Sequence, residues 1–258
     1  MRASLFVAVA LLVAAIPTTA PAQEPVTLDL RADDPNVDRV VLLPSAETQP
    51  AGTIAINDYE LLMVGLTFAP TDNLQVSATV LPPLKNVSLF ANLTAKYRLV
   101  GSGRLHLALQ TGLAYLYDDD VGDGGDTGLT SDSLVLQGGV LASLCLDGAC
   151  GWQASASAIA MVPVAGNYNG STRLGVVYGG GITGLIAAHA KLLFEVDSIV
   201  TEDLYQGYQS GVGELGSGAV SGGIRLFGRR VAVDLVAVRP FKLRGPIALP
   251  FVELSFRF

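Results

Sequence analysis

Charge is what this sequence has least of. Asp, Glu, Lys and Arg make up only 15% of the 258 residues, against about 25% in ordinary soluble domains. The basic residues are the minority, 16 against 23 acids, and they form no run. That disfavours a nucleic-acid partner. A long uninterrupted apolar stretch is also missing after residue 22. The nearest candidate, Leu174 to Ala188, is broken by Gly175, Gly179, Gly180, Gly181 and Gly184, so no spanning helix is expected. There is no G-x-S-x-G nucleophile elbow. The two cysteines have no cluster of further ligands beside them. No cofactor and no enzyme activity are expected on these grounds.

What is present is apolar. Half of all residues are hydrophobic, and they need a place to go. The first 22 read as a secretory signal peptide: Arg2, then the apolar stretch Leu5 to Ile16, then Ala20-Pro21-Ala22 before Gln23. Without Arg2 the chain is more acidic than its formal net charge of −7.

Beyond residue 51 the apolar residues alternate. Val87, Leu89, Ala91, Leu93, Ala95, Tyr97 and Leu99 interleave with Ser88, Asn92, Thr94, Lys96 and Arg98, with Phe90 the one exception. The same period of two runs through 105–117 and 190–200. Soluble strands average about 5–6 residues, whereas transmembrane strands need about 9–11. Twelve strands are expected, at 52–57, 58–69, 74–81, 86–99, 104–117, 132–146, 150–162, 172–185, 189–200, 217–227, 230–238 and 248–258, with ten as the alternative. The connections alternate short and long, the outer-membrane habit. The expected fold is all-β: a single antiparallel transmembrane β-barrel over 52–258.

The chain ends Pro-Phe-Val-Glu-Leu-Ser-Phe-Arg-Phe. Val252, Leu254, Phe256 and Phe258 face one way, and Glu253, Ser255 and Arg257 the other. This closing strand resembles the assembly signal of bacterial outer-membrane barrels. The resemblance implies an outer-membrane location, outer-membrane lipid as surroundings, and the barrel assembly machinery as the partner that reads Phe256 and Phe258.

Residues 23–51 do not fit a wall. They are acidic and carry Pro25, Pro35, Pro44 and Pro50 around Val40 to Leu43. They either hang in the periplasm or enter the lumen as a plug.

The polar faces of the strands assign Glu60, Lys96, Arg98, Arg104, His106, Arg173, Lys191, Glu195, Asp197, Arg225, Asp234, Glu253 and Arg257 to the lumen. These form either a mutually neutralising network or a selectivity surface. Cys145 and Cys150 flank a tight turn in an oxidising compartment and are expected to form a disulfide. Strict alternation would put them on opposite faces, so a bulge is needed there. Asp118, Asp120, Asp123 and Asp126 lie in a Gly-rich loop suited either to solvation or to Ca²⁺. Gly179 to Gly184 matches G-x-G-x-x-G, but with no helix expected after it the glycines are read as making room in a crowded lumen.

Three functions stay open: a small-solute channel, a structural or surface-interaction barrel with an ion-pair-filled lumen, and a lipid-modifying enzyme. The third lacks a recognisable Ser–His motif.

Overall fold

The computed structural model describes residues 33–59, 63–81, 89–101, 103–117, 132–166, 173–203, 217–241 and 248–258. Twelve strands run along the chain: β1 (Ile54–Tyr59), β2 (Met63–Thr71), β3 (Leu74–Leu81), β4 (Leu89–Val100), β5 (Leu105–Tyr117), β6 (Asp132–Cys145), β7 (Trp152–Gly166), β8 (Arg173–Ala187), β9 (Ala190–Asp203), β10 (Ser217–Phe227), β11 (Val231–Pro240) and β12 (Leu249–Arg257). Each pairs antiparallel with its chain neighbour, and β1 pairs with β12 to close the barrel. Closure leaves no sheet edge with unpaired backbone groups. At the seam Ile54 and Phe258 each donate an amide to the other's carbonyl, at 3.3 and 2.8 Å.

Alternation sorts the wall into two faces. In β2, Val64, Leu66 and Phe68 point outward and stay exposed, while Gly65, Thr67 and Ala69 are buried. The outer surface carries Leu93, Tyr97, Leu99, Val140, Phe194 and Phe256 in the same way. A contiguous apolar surface of this kind marks contact with something other than water. The fully buried side chains include Arg225, Glu195 and Glu253, an inversion of the soluble pattern.

The connections 72–73, 101–104, 146–151, 188–189 and 228–230 lie at one end of the barrel, where β1 begins and β12 ends. At the other end 60–62 is as short, while 82–88, 118–131, 167–172, 204–216 and 241–248 are six residues or longer. The first hairpin departs from the expected boundaries: β1 runs on to Tyr59 and β2 starts at Met63, rather than breaking at 57/58. Strand β7 starts at Trp152, not 150. Cys150 precedes it in a left-handed turn conformation, with φ of 58°, and bonds to Cys145 with the Cα atoms 4.7 Å apart. No bulge is needed, because Cys150 never joins the ladder.

Residues 33–50 lie inside the barrel. Val40, Val41, Ser45, Ala46, Thr48 and Gln49 are all buried, and their partners come from strands on every side of the wall. Val40 and Val41 pack with Leu193 of β9 and Val236 of β11, and Val238 and Phe251 cover the cluster. Ala46 packs with Ala108 of β5 and Leu141 of β6.

Candidate functional site in the lumen

Register places four charges in a row on the inner wall. Lys191 of β9 stands opposite Arg225 of β10, Arg225 opposite Asp234 of β11, and Asp234 opposite Glu253 of β12. The row continues to Tyr59 of β1. Two cations are therefore followed by two carboxylates. Arg225 donates Nε and Nη2 to the two oxygens of Asp234, each at 2.8 Å. Such a two-pronged pair is geometrically specific.

The inserted segment answers this row with opposite charges. Its shape comes from local bonds. The Asn36 amide donates to the Asp34 side chain at 2.9 Å, an Asx turn that the Asp-Pro-Asn sequence favours. Further along, Val40 N–H donates to Leu43 O at 3.1 Å and Ser45 N–H to Asp38 O at 2.9 Å. A small hairpin results, with Leu42 exposed at its tip. Asp34 meets the cationic half of the row: Lys191 Nζ lies 2.5 Å and Arg225 Nη1 3.4 Å from its Oδ2. Arg39 meets the acidic half, 3.1 Å from Glu253, with its guanidinium over the Tyr59 ring at 5.4 Å.

Elsewhere the wall grips backbone. The Glu195 carboxylate accepts the amides of Val41, Leu42 and Leu43 at 2.9, 3.0 and 3.1 Å. Successive amides turned on one anion form a nest. Arg225 donates to Asn36 O at 2.6 Å and Val40 O at 2.8 Å. Lys96 donates to Asp38 O and Ser45 O at 3.1 and 3.2 Å. Arg257 donates to the carbonyl of Asp34 and to Gln49 Oε1. Gln75 donates to Asp38 Oδ2 at 2.6 Å and accepts the Gln49 amide at 3.0 Å. Glu47 is ringed by Arg98, His106 and Gln153.

Electrostatics fixes the insert in its charged form. Burial alone would raise the Asp34 carboxyl. The charges of Lys191 and Arg225, with bonds from Lys191 and the Asn36 amide, hold it below its ordinary value of 3.8. Asp38 is likewise buried, and Arg39, Lys96 and Gln75 carry it well below the usual carboxylate range. Burial opposes the charge on Arg39, yet Asp38 and Glu253 raise its pKa above the ordinary arginine value.

Two glycines make the approach of the hairpin possible. A Cβ on Gly179 would lie 2.5 Å from Leu43 Cδ1, and one on Gly181 2.8 Å from Val40 Cγ1. They belong to the G-x-G-x-x-G run, which lies wholly within β8.

The structure brings together Lys96, Arg98, His106, Lys191, Glu195, Arg225, Asp234, Glu253 and Arg257 around the insert. Asp197 faces the lumen two residues beyond Glu195. Arg104 does not join them: it is exposed in the turn between β4 and β5, because Gly103, at a φ of 75°, delays the strand to Leu105. Glu60, the side chain of Arg173 and the aspartates at 118, 120, 123 and 126 lie outside the described residues. Sequence reasoning missed the other half of the site, namely Asp34, Asn36, Asp38, Arg39, Glu47 and Gln49. Their acidic balance against a basic lumen was the available signal.

No family model and no curated protein matches this sequence. Solved structures do match in fold. LpxR from Salmonella typhimurium is 12% identical, over 80% of this chain and 99% of its own, with a TM-score of 0.44. CdiB from Escherichia coli is 10% identical, over 92% of this chain and 72% of its own, with a TM-score of 0.43. The expectation of no enzyme activity is withdrawn, because a missing soluble-hydrolase motif excludes no chemistry on a barrel wall. These likenesses concern fold alone and assign no role to any residue here.

Proposed function

We propose that this protein is an outer-membrane β-barrel that stands closed at rest, with its own N-terminal segment as the plug. The observation that carries this reading is the fill of the lumen by residues 33–50, gripped from β3, β4, β6, β9, β10 and β12. In this reading the charged inner wall is first a holding surface for the plug. The apolar outer face meets outer-membrane lipid. The last strand, with Phe256 and Phe258, is what the barrel assembly machinery reads. Contact with other molecules falls to the long connections at the far end. Asp33, paired with Arg229 at 2.9 Å, lies at the short-turn mouth, which in this reading faces the periplasm.

The test is electrical and needs the full mature chain. Reconstituted in planar bilayers and shown to be folded by heat-dependent gel mobility, it should give no steady conductance. Large, persistent steps from the wild-type protein would overturn the reading. Fractionation of the native host should recover the chain with the outer membrane.

A further inference from the structure

We propose that Lys191 and Arg225 form a binding site for a small anion in the lumen, and that the Asp34 carboxylate occupies it as a tethered stand-in. The inference rests on the closed-barrel reading above and adds what the lumen would select once the plug has left.

Three observations converge. The first is charge. In the layer around the insert the described wall presents five cations, Lys96, Arg98, Lys191, Arg225 and Arg257, against three carboxylates, Glu195, Asp234 and Glu253. All eight are nine-tenths or more buried. Buried like charges need counter-charge, and the insert supplies the difference through Asp34, Asp38 and Glu47, offset by its own cation Arg39. Without it the wall is left cationic.

The second is the geometry at Asp34. Arg225 is already saturated on its Nε and Nη2 edge by Asp234, so Nη1 is turned to the insert. Lys191 has Asp34 as its close anionic partner at 2.5 Å. A carboxylate sits where these donors converge, and a free carboxylate or phosphate offers the same oxygens.

The third is topology. The insert enters and leaves by one mouth. Asp33 pairs with Arg229 in the β10–β11 turn. At the other end, the Ala51 amide donates to Asp72 in the β2–β3 turn at 3.1 Å, and Ile54 then begins β1. Among the described residues the insert forms no ladder with the wall, and its isolated bridge, Arg39 to Pro44, is internal. It can withdraw without threading the barrel.

The test uses the full chain with Asp34→Lys and Asp38→Lys, which set cations against cations and leave the wall intact. Folding is checked by gel mobility. If that variant does not fold, Asp34→Asn with Asp38→Asn removes the anchors without adding charge. The opened barrel should conduct, and its reversal potential in a KCl gradient should show chloride preferred by about threefold or more, as rings of charge set ion preference. Millimolar inorganic phosphate should reduce the chloride current, and Lys191→Gln added to the variant should remove that sensitivity. A folded variant that stays silent, prefers potassium or ignores phosphate overturns the proposal while the closed barrel stands. Steady conduction by the wild type overturns both.

Discussion

Lys191 and Asp34 are 157 residues apart in the chain and 2.5 Å apart in the lumen. Both are buried, so each is the other's replacement for lost water. Removing one member of such a pair leaves an uncompensated charge, at a cost of about 3–5 kcal/mol. Asp34→Ala should therefore loosen the plug while the ladder stays intact. Proteolysis of residues 33–50 in the folded barrel should become measurable in the variant and stay negligible in the wild type.

Protonation of Asp34 and Asp38 should loosen the plug only at the low end of the scale. Asp34 and Asp38 have pKa values below 3.8 when docked, and an undocked aspartate returns to about 3.9. A depressed folded-state value adds stability that is fully present above the free value and fades as pH falls through the bound one. These two aspartates should thus contribute equally at pH 7 and pH 5, with their share of docking lost only below about pH 4. Conductance recorded as pH is stepped down, compared with Asp34→Asn/Asp38→Asn, checks their share.

Glu195→Ala should unfasten the hairpin tip. Three amides would lose their acceptor together, and each of the two buried ones, Val41 and Leu43, left unsatisfied costs about 1–3 kcal/mol. Hydrogen exchange read by mass spectrometry should rise at Val41, Leu42 and Leu43, with no matching change across β4 to β6.

Gly179→Val tests the approach of plug to wall. Its Cβ would meet Leu43 and, at 2.4 Å, the carbonyl of Val196. The variant should fold less stably than wild type and expose the plug to protease. Gly138→Ala, whose Cβ meets nothing within 4 Å, should leave both properties unchanged.

The disulfide closes a separation of only five residues. Chain entropy then predicts a loss of about 2 kcal/mol for Cys145→Ser/Cys150→Ser. Urea unfolding in detergent should show a small midpoint shift, with the plug as protected as before.

Strand number was legible because alternation is local: each strand carries its own record of inside and outside. Two of the misplacements have local causes. Arg104 continues the polar phase of β5 on paper, but Gly103 turns the chain first. Cys150 seems out of phase only when it is counted into a strand. The plug was harder to read. Its acidic, proline-bearing stretch plainly did not belong to the wall, yet whether it hung free or went inside depends on partners such as Arg225 and Arg257, about two hundred residues later. No pattern within residues 23–51 records those meetings. The lumen charges were recognised one strand at a time, while the row from Lys191 to Glu253 exists only after register is set.

Entry and exit of the insert at one mouth give the barrel a mechanical direction. A tug from that side peels contacts singly, beginning with Asp33 on Arg229 and moving inward to Asp34 and its neighbours. A push on Leu42 from the opposite side instead loads Glu195, Arg225, Lys96 and Lys191 at the same moment, in shear. Equal bond strengths therefore yield to a small force from one compartment and resist a much larger one from the other.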